Sequence, residues 1–161
     1  MWSRAKVRQM EVSRSTLNYK SSTYSSYYYD IYKQLESANI FYPQFNKWYF
    51  QKVVPDDIFG RRSIITEMRD GEIAGVAIIK LSEEFKLSTL KVSDNYVNSG
   101  IGLKLFEKSF TLLDTDKPFL TVSEDKLVEF KKLFKYYNFK LTSVHPNLYR
   151  NNKKEYFFNE I

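Results

Sequence analysis

Cysteine is absent from the 161 residues, which removes disulfides, thiolate nucleophiles and cysteine metal sites together. Histidine occurs once, at His145 in "SVHPNLY", so chemistry needing two imidazoles is excluded. Composition leaves room for a Ser-His-Asp arrangement through His145, but no nucleophile-elbow motif accompanies it. No apolar run approaches the roughly 18 residues of a membrane span. The opening "MWSRAKVRQMEVSRS" is basic with no apolar segment behind it, the pattern expected of a cytoplasmic chain rather than a secreted one. Glycine is scarce, at five residues, yet two of the five stand one residue apart.

Apolar and aromatic residues are plentiful. The hydrophobic share is 43% and the aromatic share 17%, with 13 Tyr and 13 Phe, which is too apolar for a disordered chain. The length suits a single domain spanning 1–161. The formal charge is +6 and uneven: residues 1–20 carry five Lys/Arg against one Glu, and residues 126–161 carry eight against three acids. Such ends attract nucleotides, phosphorylated carriers or nucleic acid, although a solvated basic face would look the same.

Residues 1–23 are expected to form a first strand plus a mobile arm. From Tyr24 a helical period emerges through Tyr27, Tyr28, Ile31, Leu35 and Ala38, with an end expected near Asn39. A second helix is expected to open after Pro43 and stop at Pro55. The many tyrosines suit either core positions with wet hydroxyl tips or a substrate-facing wall. "RRSIITEM", "RDGE" and "IAGVAIIKL" read as two strands joined by a tight Asp70-Gly71 turn. A third strand follows at 86–92, then a helix at 101–113 with an inward stripe of Gly102, Leu105, Phe106, Phe110 and Leu113. A short strand at 117–122 leads to a helix with Ser123 as its N-cap and Leu127, Phe130, Leu133, Phe134 and Tyr137 as its buried face. Two strands, 139–144 and 154–159, close the chain. The strand–helix–strand unit over 86–122 requires a parallel pair with a right-handed crossover.

The run "SDNYVNSGIGLKLFEKSF" (93–110) sets Gly100 and Gly102 between that strand and that helix. A dinucleotide fingerprint needs a third glycine where Leu105 stands, and a P-loop needs a Gly-Lys pair that the chain lacks. What remains is a turn whose residues 98–102 present successive N–H groups at the positive end of a helix. Glycine at 100 and 102 lets a diphosphate approach without meeting a Cβ atom, and Asn98 and Ser99 add side-chain donors.

"LKVSDNYVNSGIGLKLFEKS" resembles the acetyl-CoA-binding motif of the GCN5-related N-acetyltransferases, the GNAT superfamily. That motif runs from a strand ending in Val through four residues, Arg or Gln, two residues, Gly, one residue, and Gly or Ala. Val92, Gly100 and Gly102 match it, while Val97 stands where Arg or Gln is usual. "FKYYNFKL" (134–141) is similar to the family's helix end, with Phe134 where many members carry a proton-donating tyrosine and Leu127 in place of an asparagine. The element order agrees from about residue 24 to the C-terminus.

The resemblance implies an α+β fold in α/β/α-type layers. Its sheet would be mixed and mostly antiparallel, with a parallel strand pair splayed at the cofactor site. It implies acetyl-CoA as co-substrate and no metal. Leu90, Lys91 and Val92 would meet the pantetheine arm as a pseudo-strand. Val97, Asn98, Ser99, Gly100, Ile101, Gly102 and Leu103 would hold the diphosphate. The implied reaction is acetyl transfer by direct attack of a neutral primary amine. Base candidates are Glu67, then Glu83 and Glu84; acid candidates are Tyr149, then Tyr136 and Tyr137. Ser123 would hold a water or the cofactor arm. Two alternatives stand beside an amine N-acetyltransferase: a non-catalytic acyl-CoA-binding module, and a toxin acetylating aminoacyl-tRNA. The acceptor would be an amine-bearing small molecule, a peptide or tRNA. The aromatic N-terminal helices could also supply a homodimer face.

Overall fold

Residues 21–161 are described by the computed structural model; the strand and arm expected over 1–23 fall almost wholly outside the described residues. Helix α1, Ser21–Leu35, buries Tyr28, Ile31 and Leu35. It tightens into a 3₁₀ turn, Glu36–Ile40, rather than running on as α-helix to Asn39. The second helix also departs from expectation, because Pro55 does not stop it. Helix α2, Phe45–Trp48, passes through a π-turn, Tyr49–Val53, into α3, Val54–Phe59, with Pro55 in the first turn of α3. A proline there forfeits no needed N–H, and the π-turn supplies the break in the ladder that its ring requires. Gly60, at φ 77°, ends the segment.

Strands β1, Arg62–Arg69, and β2, Glu72–Lys80, form the hairpin, with Asp70 at φ 53° and Gly71 at φ 77° as its turn. Strand β3, Lys86–Val92, pairs antiparallel with β2. After a short 3₁₀ turn, Asp94–Tyr96, helix α4, Ile101–Leu113, crosses to strand β4, Phe119–Ser123, which lies parallel to β3. Helix α5, Glu124–Tyr136, and strands β5, Leu141–Pro146, and β6, Lys154–Phe158, complete the chain. The six strands are ordered β1-β2-β3-β4-β6-β5, a mixed sheet with β3–β4 as its parallel pair among the described residues.

Alternation along the strands feeds two cores, one on each face of the sheet. Ala77, Ile79, Leu87, Leu120 and Val122 pack beneath Leu105, Phe106 and Leu113 of α4 and Phe134 of α5. Val76 and Ile78 point the other way, onto Ile31, Leu35, Phe45, Tyr49 and Val53. The layers are therefore helix, sheet, helix. Gly75 sets how closely α4 sits on β2: a Cβ there would lie 2.6 Å from Ile101 Cγ2 and 2.8 Å from Leu105 Cδ1. No helix among the described residues is long and apolar enough to cross a membrane.

Candidate active site

The parallel pair is barely a pair. Lys86 faces Phe119 and Leu87 faces Leu120, and there the ladder ends, although β3 runs on to Val92 and β4 to Ser123. A bulge helps to part them. Ile78 faces Thr89 while Ile79 faces Leu87, which leaves Ser88 as an extra residue that bends β3. The Ser88 hydroxyl accepts a hydrogen bond from Arg62 Nη1 at 3.2 Å. Beyond Leu87, the β3 edge that looks toward β4 lacks ladder partners among the described residues. A buried edge of that kind needs donors and acceptors from elsewhere.

The gap is a cleft of about 780 Å³. Its floor is Leu87–Val92 of β3 and Leu120–Val122 of β4, and one wall is Phe130, Leu133 and Phe134 of α5. On the other side of the sheet it reaches Phe41 and Tyr42, in the bend between the 3₁₀ turn and α2. The glycine turn opens onto the same cleft. Asn98 at φ 62° and Gly100 at φ 84° reverse the chain, and the Ser99 hydroxyl donates inside the turn to the Tyr96 carbonyl. Lys104 is the first residue of α4 whose N–H bonds back, to Gly100 O at 3.2 Å. The amides of Ile101, Gly102 and Leu103 are thus left at the positive end of a 13-residue helix. A Cβ on Gly102 would meet nothing closer than Val92 Cγ2 at 3.6 Å, so the fold itself has room for one. Lys91, Lys126 and Lys132 also line the cleft.

The sequence-derived cofactor residues gather here. Leu90, Lys91, Val92, Val97, Asn98, Gly100, Gly102 and Leu103 line the cleft. Ile101 turns its side chain into the core, and Ser99 spends its hydroxyl on Tyr96, so each has only its backbone to offer. The catalytic candidates scatter. Glu67 is ion-paired to Lys108 on the outer side of α4, away from the cleft. Glu83 and Glu84 lie in the exposed β2–β3 turn, 3.9 Å from Lys80 Nζ. Tyr136 is exposed, and Tyr137 packs among Phe106, Phe110 and Phe139. Ser123 has N-cap backbone geometry, but its hydroxyl makes no cap bond and is buried without a partner among the described residues. His145 forms no triad: Ser143 Oγ lies between Glu160 and the imidazole, at 2.6 Å and 2.9 Å, so the carboxylate does not orient the ring.

Tyr149 does approach the site, as part of a cluster that sequence reasoning missed. Arg150 and Lys153 bind Asp125 at the start of α5 and so hold the β5–β6 loop down. That places the Tyr149 ring edge-on to Tyr42, 5.2 Å between centroids. The Tyr42 hydroxyl donates to Glu155 Oε1 at 2.8 Å. Glu155 stands opposite Ser123 in the β4–β6 ladder and opposite His145 in the β5–β6 ladder, on the sheet face that carries Tyr42. Burial pushes its carboxyl above the usual range, against hydrogen bonds from Tyr42 and Thr121 and the charges of Lys86 and Arg150. Burial likewise raises Tyr42 and Tyr149 and lowers Lys86. The only sign of this cluster in the sequence is one acid beside three aromatics in "KEYFF", which reads equally well as an outward position.

No protein-family model matches the sequence, and no curated protein is similar to it. Solved structures are. A GNAT-family acetyltransferase structure from Desulfovibrio desulfuricans matches with a TM-score of 0.65 at 17% identity, over 81% of this chain and 89% of that one. An aminoglycoside 6′-N-acetyltransferase complexed with coenzyme A matches at TM-score 0.56 and 12% identity, over 78% and 86% of the two chains. A GNAT-family acetyltransferase from Elizabethkingia anophelis with acetyl-CoA bound gives 0.53 at 14% identity, over 66% and 80%. At these identities the likeness is one of architecture: the chain has the fold of GNAT acetyltransferases.

Proposed function

We propose that the chain is an N-acetyltransferase that moves acetyl from acetyl-CoA to a primary amine. One observation carries the reading: the open edge of β3 beyond Leu87 and the free amides at the start of α4 face the same cleft. A carrier with an amide-rich arm and a diphosphate needs both at once. Structures of the same architecture are described with coenzyme A or acetyl-CoA bound, which supports the choice of carrier. When bound, acetyl-CoA supplies the activated acyl group. The chain supplies the rest. Leu90, Lys91 and Val92 offer backbone groups to the arm, and Gly100–Leu103 offer amides to the phosphates. Phe130, Leu133 and Phe134 keep water from the arm's apolar side.

Calorimetry with acetyl-CoA tests the proposal. The wild type should bind in the micromolar range, and Gly100→Glu, which puts bulk and charge at the phosphate amides, should bind at least 100-fold more weakly. A wild type that ignores acetyl-CoA at high micromolar concentration contradicts it. Phe134 and Val97 favour a second reading, an acyl-CoA-binding module without catalysis. Release of free CoA in the presence of any amine from a broad panel would defeat that reading.

A further inference from the structure

Phe134 has no hydroxyl and sits in an aromatic core, 4.6 Å from the ring of Phe158 and 5.6 Å from that of Phe130. Glu129, the α5 carboxylate that lines the cleft, is ion-paired to Lys126 at 3.0 Å, and position 134 offers no hydroxyl. The opposite side of the sheet has one. Tyr42 lines the cleft there and reaches back to Glu155, which is only 3% exposed. Thr121, the other polar neighbour of that carboxylate, lines the cleft as well. Beside Glu155 in the ladder, Ser123 is 2% exposed, and its hydroxyl has no partner among the described residues.

A buried glutamate held by a tyrosine hydroxyl has a plain structural use, which is to tie the bend at Tyr42 to β6. Three features exceed that use. Lys86 reaches into this face of the sheet at the point where the strands part, with its ammonium 5.0 Å from the centre of the Phe119 ring; it makes no ion pair among the described residues and feels Glu84 and Glu155 only through their charge. The carboxylate is thus left without a direct counter-ion among the described residues. The Ser123 hydroxyl, beside Glu155 in the ladder, is a buried polar group left unsatisfied among the described residues. And the hydroxyl bonded to Glu155 belongs to a residue that lines the cleft.

We infer that Tyr42 and Glu155 form a proton relay for the acceptor amine, so that Tyr42 touches the amine and Glu155 acts through it. This rests on the acetyltransferase reading and deepens it by naming the group that handles the proton. As the amine nitrogen bonds to the acyl carbon, its proton passes to Tyr42 Oη, and the Tyr42 proton passes to Glu155 Oε1. The C–S bond breaks with its electron pair on sulfur. The relay then runs backward and returns one proton to the thiolate, leaving both residues as they began. Because the tyrosine gains and loses a proton together, no free tyrosinate forms, as its burial demands. The charged and titratable groups facing Glu155 are Lys86 from β3, Arg150 and Tyr149 from the β5–β6 loop, Tyr42 from the bend and His145 from β5. A carboxylate in such a site keeps its proton to higher pH than an exposed one, which makes it the stronger base for a relay.

The test uses Tyr42→Phe, Glu155→Gln and the double variant. Spermidine, kanamycin and an alanine-initiated peptide serve as amine probes, alongside carboxyl ¹³C NMR of glutamate-labelled protein bound to CoA. Each single variant should bind CoA within about twofold of wild type. With any probe that the wild type acetylates, each should lose about 100-fold in kcat, the lower end for general acid–base groups. The double variant should lose no more than the worse single, and in Glu155→Gln the acid limb of kcat/KM against pH should shrink to the titration of the free amine alone. The Glu155 carboxyl should titrate above the ordinary glutamate range, and higher still in Tyr42→Phe, which removes a donor to the charged form. Variants with wild-type turnover and pH profile overturn the relay and leave the transferase reading intact. So does a Glu155 carboxyl that titrates at or below the ordinary range, and that result decides the matter if none of the probes is acetylated. A wild type that binds no CoA overturns both.

Discussion

Three glycines do three different things, and the distinction makes each testable. Gly75 is a packing glycine: Ile101 and Leu105 occupy the space its side chain would take. Gly100 is a conformational one, at φ 84° with open space around its missing Cβ. Gly102 is neither, since its backbone is ordinary helix and its nearest neighbour would be 3.6 Å away. If its bareness serves the carrier, Gly102→Ala should leave the melting temperature unchanged while weakening CoA binding at least tenfold. Gly100→Ala should lower stability by about 1 kcal/mol through left-handed strain. A thermal melt and a calorimetric titration on each variant separate the two roles. A Gly102→Ala protein that binds CoA normally would show that the phosphates pass elsewhere. Gly100 and Gly102 were legible in the sequence because spacing alone marks such a turn. Gly75 was not, because nothing in "IAGVAIIKL" says that a helix rests on it.

Among the elements, the corner between α3 and β1 fixes the helical layer that carries Tyr42. Asp56, buried in α3, takes Arg61 Nε at 2.7 Å and Arg62 Nε at 3.1 Å, with Lys52 Nζ at 3.6 Å. Its neighbour Asp57 accepts from the Ile64 amide at 2.9 Å and from Tyr28 of α1 at 2.6 Å. Burial pushes the Asp56 carboxyl up, but hydrogen bonds from Arg61 and Arg62 and the Lys52 charge bring it below its ordinary value. A carboxyl depressed in the folded state stabilises fully above the unfolded value, and that support is lost as the pH falls through the folded one. Asp56→Asn should therefore cost about 3 kcal/mol at pH 7, because it strands the buried Arg62 guanidinium. The gap to wild type in urea unfolding should close as the pH drops below the carboxylate range; a constant gap would mean that the asparagine loses shape rather than charge. The hairpin, α4 and the parallel crossover were legible from period and turn chemistry. The continuation of the helix past Pro55 was not, since a π-turn depends on packing around Tyr49 and Val53. Helix α5 shows a subtler limit: its stripe of Leu127, Phe130 and Leu133 reads as core, but much of it is cleft wall and only partly buried.

The described residues form two cores back to back across a sheet, with one break in that sheet. Everything proposed for function lies along the break, with the carrier at one mouth and the Tyr42–Glu155 pair at the other. The glycine turn at the first mouth was legible in the sequence because glycine spacing marks such a turn, and the carrier proposed for it would be met mostly by backbone. The other mouth was not, because it assembles residues 42, 121, 149 and 155 from separate parts of the chain through ladder register and a loop pinned by Asp125. The basic ends give the chain a net positive charge without naming a partner. The central claim is that the open β3 edge and the α4 amides hold one molecule together. Amide hydrogen exchange with and without CoA tests it most directly. Slowing of at least tenfold in both Leu90–Val92 and Ile101–Leu103, with β1 unchanged, is the expected result; unchanged exchange in both segments at saturating CoA would contradict it.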